Sequence, residues 1–360
     1  MKPSPPKKWI VVSSSDTKHS RLHLQKKWMV LGFLFLVALF NIIISDDGFS
    51  EADDDDRTGQ GEVLSEEAVL ALSKPMEPIL EDAGDSSLHF TDWMPTWKRN
   101  LQPIKQKPQD SDTILFWHLP KCGGTTAKNL YICMEKTITT RVGVLPQFGH
   151  QNTKELIVFH PYPSQKWKTV NVDTTTITGI KRAMKMKLVQ SHTADLIFSM
   201  EMGTAVKYLF DNKDKGRNKA RVIAMFRHPV TRLVSKFYYL QVADWEKTYH
   251  PEWAKITLLQ WARTNRKSSD DNIMVRKLTG KDWKDEVGET DLRVAKKILR
   301  DHVVVGLLDQ PEESFRRFNM VMGIDESIEP HRACMDQFFG IKVAKDSTNS
   351  NKHPPVSKMF

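Results

Sequence analysis

Three uninterrupted apolar runs organise this chain. The longest, Trp28–Ile44 (WMVLGFLFLVALFNIII), holds 17 residues without a charge, enough for roughly 26 Å of helix. That falls slightly short of the roughly 30 Å hydrocarbon core of a bilayer and suits a thin membrane of the early secretory pathway. Two shorter runs, ILFW at Ile114–Trp117 and RVIAMF at Arg221–Phe226, are continuous rather than alternating, as strands buried on both faces are. Each leads into a turn and a helical pattern. The first passes through His118-Leu-Pro to Lys121-Cys-Gly-Gly-Thr-Thr126. The second passes through Arg227-His-Pro229, with proline tolerated near a helix start, after which Leu233, Phe237 and Leu240 recur on one face. Together they predict an α/β domain: a P-loop-like, mostly parallel sheet with helices on both faces.

The flanks of the long run define the remaining organisation. Residues 1–27 carry seven Lys or Arg against the single acid Asp16, which predicts a cytoplasmic tail. A cleaved signal peptide would have a shorter basic region and small residues after the run, whereas Ser45-Asp46-Asp47 follows here. A buried core helix is disfavoured by the acidic sequence that begins at once. Residues 28–44 therefore read as an uncleaved signal anchor with type II topology, the rest of the chain being lumenal. Between Ser45 and Phe90, fourteen acids face only Arg57 and Lys74, and prolines recur to Pro108. Residues 45–110 thus read as a disordered acidic stem, with at most a helical turn or two at Ser65–Leu72. The block Asp53–Asp56 reads as a solvated spacer, since no glycine-spaced calcium loop surrounds it. Residues 111–360 read as the catalytic domain.

Charge narrows the ligands. From Ser111 to Phe360 there are 40 Lys or Arg and 27 Asp or Glu, so this region is +13 while the whole chain is +9. Such a domain expects anionic ligands. A lumenal address and the lack of zinc-finger or RNA-binding signatures argue against nucleic acid. The three cysteines, Cys122, Cys133 and Cys334, allow at most one internal bridge. Cys133–Cys334 is the expected pair because Cys122 sits inside the glycine loop; a cysteine pairing between chains is the alternative. No zinc spacing and no Asn-x-Ser/Thr glycosylation site is present.

The Lys121–Thr126 loop has the build of an anion cradle. Gly123 and Gly124 let backbone N–H groups approach oxygens, the following helix start adds positive dipole, Lys121 adds charge, and Thr125 and Thr126 add hydroxyls. It is not a Walker A loop, whose lysine follows the glycines. Arg227 leaves the C-terminal end of the second strand and Ser235 lies on the first turns of the next helix. In open parallel sheets ligands collect at that end, so the two are placed to share one anion.

HLPKCGGTT and FRHPVTRLVSKFYY together resemble the 5′-phosphosulfate loop and 3′-phosphate segment of sulfotransferases that use 3′-phosphoadenosine-5′-phosphosulfate (PAPS). The likeness is greatest to membrane-anchored Golgi carbohydrate sulfotransferases with a PK-x-GG-T[ST] loop. Weaker likenesses are Ser191-His192, Asn272–Gly280 (NIMVRKLTG) and Val304–Ser314 (VVGLLDQPEES). Cys122 departs from a frequent threonine, and Met274 from a glutamine, leaving Asn272 and Arg276 as candidates in that stretch. The resemblance implies a Golgi enzyme, without a metal requirement, that moves a sulfuryl group from PAPS to a glycan hydroxyl, the glycan being acidic in one version. Lys121 would stabilise the leaving phosphate. Backbone N–H groups of Cys122, Gly123, Gly124, Thr125 and Thr126 would hold the 5′-phosphate, and Arg227 and Ser235 the 3′-phosphate.

A base for the acceptor hydroxyl is expected to be histidine. His192 is the candidate among twelve histidines, since it follows the apolar Leu188-Val189 and matches a catalytic histidine of related glycan sulfotransferases. His118 and His228 are expected to pack or cap locally, and Asp195 and Glu201 have only proximity to His192 in their favour. Lys181, Arg182, Lys185 and Lys187 form either a glycan track or a solvated helix face. Trp245, Trp253, Trp261 and Trp283 either stack on sugars or pack in the core. The rival readings are a lumenal ATP-dependent phosphotransferase, which would need a Walker B carboxylate and magnesium, and a non-catalytic glycan-binding protein keeping the fold.

Overall fold

A computed structural model describes residues 93–109, 112–162, 166–210, 218–264 and 270–340. The tail, the anchor and most of the stem lie outside the described residues. Among the described residues no helix is long and apolar enough to cross a membrane.

The expected strands form where the apolar runs stand. Strands β1 (Thr113–Trp117), β2 (Thr137–Thr139), β3 (Val158–Phe159), β4 (Lys168–Val170), β5 (Leu196–Ser199), β6 (Ala220–Phe226) and β7 (Val303–Leu307) make one sheet among the described residues, in the order β3-β4-β2-β5-β1-β6-β7. All pairings are parallel except β3 with β4. Every residue of β1 is buried, the expected state of a central parallel strand covered on both sides.

Alternation along β1 divides two cores. Leu115 and Trp117 join one cluster with helices α2 (Ile177–Lys185), α3 (Met202–Leu209), α6 (Ile273–Thr279) and α7 (Glu289–His302). Ile114 and Phe116 join the other with α1 (Gly124–Cys133), α8 (Pro311–Val321) and α9 (Glu329–Phe339). Helix α4 (Pro229–Val242) carries Phe237 into a smaller cluster with Trp261 of α5 (Leu258–Thr264) and with Trp253. Trp253 and Trp261 are thus packing residues, while Trp245 and Trp283 are exposed.

Two features refine the sequence reading. The ordered domain starts before residue 111: Trp97 and Leu101 are buried, and the Gln102 N–H donates to Ala220 O at 2.9 Å. Arg221, buried at the start of β6, clamps this segment through Asp112 at 2.8 Å and the carbonyls of Gln106 and Lys107. The prolines read as spacer obscured the two apolar anchors. A disulfide joins Cys133 at the end of α1 to Cys334 in α9, as expected, and Cys122 is free and buried.

Candidate functional site

Parallel pairing brings the ends of β1, β5, β6 and β7 to one edge of the sheet. From β1 the chain leaves to one face through α1. After β6 it returns on the other face through α6 and α7. Ligands collect where connections diverge in this way.

The β1–α1 loop is built by two left-handed residues, Lys121 (φ 66°) and Gly123 (φ 81°). Glycine is needed twice, for different reasons. At position 123 the backbone is left-handed, and an added Cβ would stand 2.8 Å from Leu308 Cδ1. At position 124 a Cβ would stand 2.0 Å from His118 Nε2. Helical bonding starts with Ala127 N–H donating to Gly123 O at 3.0 Å, so the N–H groups of Gly124, Thr125 and Thr126 lack helical acceptors. Glycine at the cap supplies no side chain for them. These donors and the dipole behind them suit phosphate or phosphosulfate.

Cys122 departs from its expected part. Its N–H donates to Leu119 O at 3.3 Å and its side chain is buried, so it supports the turn and faces no ligand. Burial pushes its thiol up to about 11 against the opposing charges of Arg232 and Arg227.

Arg227 reaches the loop from β6. Its Nη1 donates to Lys121 O at 3.4 Å and its Nε to Thr231 Oγ1 at 3.1 Å. Burial lowers the pKa of this half-buried guanidinium. Ser235 is buried on α4 beside Arg232, which donates to Asp270 at 2.9 Å; Lys236 pairs with the same carboxylate.

Lys121 meets Tyr239, which the sequence expectation gave no part, and through it Glu246 and Trp245. Its Nζ lies 3.5 Å from the centroid of the Tyr239 ring. The Tyr239 hydroxyl donates to Glu246 Oε1 at 2.8 Å and accepts from Trp245 Nε1 at 3.2 Å. Burial, then the charge of Arg227, brings the lysine down to about 8, with Glu246 opposing. Tyr239 is raised by burial and by its bond to Glu246. The available signal was spacing, since Tyr239 lies one helical step of four beyond Ser235.

His118 wedges under the loop against Gly124. Burial, reinforced by Lys128, lowers it to about 4, so it is neutral at ordinary pH.

His192 stands elsewhere. It lines a cavity of about 310 Å³ with Asp112, Thr113, Lys136 and Asp195, residues at the beginnings of β1, β2 and β5. Lys121 lies past the far end of β1, beyond roughly 13 Å of strand at about 3.3 Å per step. A base must come within about 3 Å of the proton it takes, so the expected role of His192 is not supported by its position. Asp195 shares that end and accepts from Thr137 N–H at 2.7 Å. Glu201 is paired with Lys277 at 2.5 Å. Arg276 spends its guanidinium on the carbonyls of Asp271, Asp282 and Asp285, and Asn272 is the left-handed cap of α6; both are structural. Arg182 likewise donates to Asn171 O and Thr153 O, which removes it from any glycan track.

The geometry defines a class: an α/β protein with a glycine loop and unpaired helix-start N–H groups at the C-terminal edge of a mostly parallel sheet. Comparison with protein-family models, curated proteins and solved structures found no match.

Proposed function

We propose that this protein is a PAPS-dependent carbohydrate sulfotransferase, anchored in the Golgi membrane with its catalytic domain in the lumen. The observation that carries the reading is the bond from Arg227 to the Lys121 carbonyl, 106 residues away. It joins the two segments whose sequences resemble the 5′- and 3′-phosphate elements of such enzymes. On this reading the N–H groups of Gly123, Gly124, Thr125 and Thr126 hold the 5′-phosphosulfate, with the threonine hydroxyls beside them. Arg227, a charged planar fork, and Ser235 hold the 3′-phosphate. The donor supplies an activated sulfuryl group. Lys121 stabilises charge growing on the oxygen that bridges phosphorus and sulfur as that bond breaks. No metal enters the proposal, because lysine and oriented N–H groups provide the positive potential.

The test is transfer of labelled sulfate from PAPS to a mixed glycan pool by the full-length protein, with and without magnesium. Magnesium-independent, Lys121-dependent transfer is the expected result. Phosphate transfer from ATP would replace this reading with the phosphotransferase, and glycan retention without turnover would leave a binding protein.

A further inference from the structure

We propose that Glu246, with Tyr239 and Trp245, forms the acceptor subsite, and that the Glu246 carboxylate receives the proton of the attacking sugar hydroxyl. The inference rests on the sulfotransferase reading and assigns the role that His192 is too distant to fill.

The backbone creates this juxtaposition. Helix α4 closes with Ala243 N–H donating to Tyr239 O at 3.0 Å, and Glu246 N–H then donates to Ala243 O at 3.0 Å. This turn folds the carboxylate back onto the helix it has just left, where Glu246 Oε1 accepts from the Tyr239 hydroxyl at 2.8 Å. Oε2 bonds nothing among the described residues. The face of the same ring carries Lys121, whose ammonium lies 3.5 Å from the centroid. Lysine and carboxylate are therefore one tyrosine ring apart.

That spacing suits an in-line displacement. From a group on the leaving oxygen to a group on the attacking hydroxyl, the path is one hydrogen bond, the S–O bond that breaks, the S–O bond that forms and a second hydrogen bond, about 10 Å in all. The path from Lys121 Nζ across Tyr239 to the far oxygen of Glu246 is similar, at most roughly 9–10 Å. The new bond joins acceptor oxygen to sulfur. The old bond releases its electron pair to the phosphate oxygen beside Lys121, and the hydroxyl proton passes to Glu246, so charge and atoms balance without a further reactant.

Trp245 gives the subsite its substrate class. Its side chain is 70% exposed, yet its indole N–H is fixed on the Tyr239 hydroxyl at 3.2 Å. An exposed indole face held in one orientation offers a stacking surface for a pyranose ring. Tyr239 is the positioning residue, holding carboxylate and indole together.

The experiment uses the full-length protein, labelled PAPS with a mixed glycan pool, and 3′-phosphoadenosine-5′-phosphate (PAP) as the donor-site probe. Glu246→Gln should lower turnover by about 100-fold or more while PAP affinity stays within about twofold, a control that also reports folding. Trp245→Ala should raise the acceptor KM with little change in kcat. Tyr239→Phe should lose part of the turnover and alter its pH profile. Turnover of Glu246→Gln within threefold of wild type overturns the assignment while leaving the donor reading intact. Absence of PAP binding by the wild-type protein overturns both.

Discussion

The Lys121 ammonium rests on the face of Tyr239, 3.5 Å from the ring centroid. Burial and the Arg227 charge hold that ammonium at about 8, far below the ordinary lysine range. A polyanion at the loop favours the charged form and reverses this shift.

Donor binding should therefore take up protons. At pH 8 a substantial fraction of free Lys121 is neutral, and PAP drives it to the ammonium form. At pH 6.5 it is already charged and no uptake from this group follows. Calorimetric titration in buffers of different ionisation enthalpy measures the effect. Lys121→Arg should abolish the uptake at pH 8, and Lys121→Ala should in addition reduce turnover by about 100-fold or more.

Gly124 and His118 should behave as one packing unit. Gly124→Ala places a Cβ 2.0 Å from the imidazole and should abolish PAP binding. Adding His118→Ala should recover part of it, which titration of both variants will show. Independent responses of the two positions would contradict the packing account.

His118 should also make the fold acid-sensitive. The unfolded chain binds its proton below 6.5, whereas the folded chain resists protonation until about 4. The stability contributed by the neutral ring is complete above pH 6.5 and is lost as pH falls through about 4, on the order of 3 kcal/mol. Denaturant unfolding at pH 7 and pH 4.5 should show a smaller difference in His118→Gln than in wild type.

The Cys133–Cys334 bridge closes a loop of 201 residues between α1 and α9. Cys334→Ser should lower stability by about 2–4 kcal/mol, read as a fall in Tm. PAP affinity below the transition should persist, because the bridge lies at the end of α1 opposite the anion loop.

Legibility followed the kind of signal each residue carries. The continuous apolar runs announced β1 and β6, and glycines followed by threonines announced the loop, because backbone geometry leaves few alternatives there. Arg227 was legible as the residue leaving a strand end. Glu246 was not, since a turn after α4 brings it back and it belongs to no short motif, and Trp245 was legible only as one of four tryptophans that either stack on sugars or pack in the core. His192 misled because proximity to an apolar segment does not say at which end of the sheet a residue lies. His192→Ala should leave turnover within twofold of wild type in the sulfate-transfer assay.

Titration of purified full-length protein with PAP, wild type against Arg227→Ala, tests the central claim most directly. The account predicts saturable binding by wild type and a loss of about 2–4 kcal/mol in the variant, as removal of a charge-assisted contact implies. No saturable binding by wild type, or equal affinity in the two proteins, would contradict it.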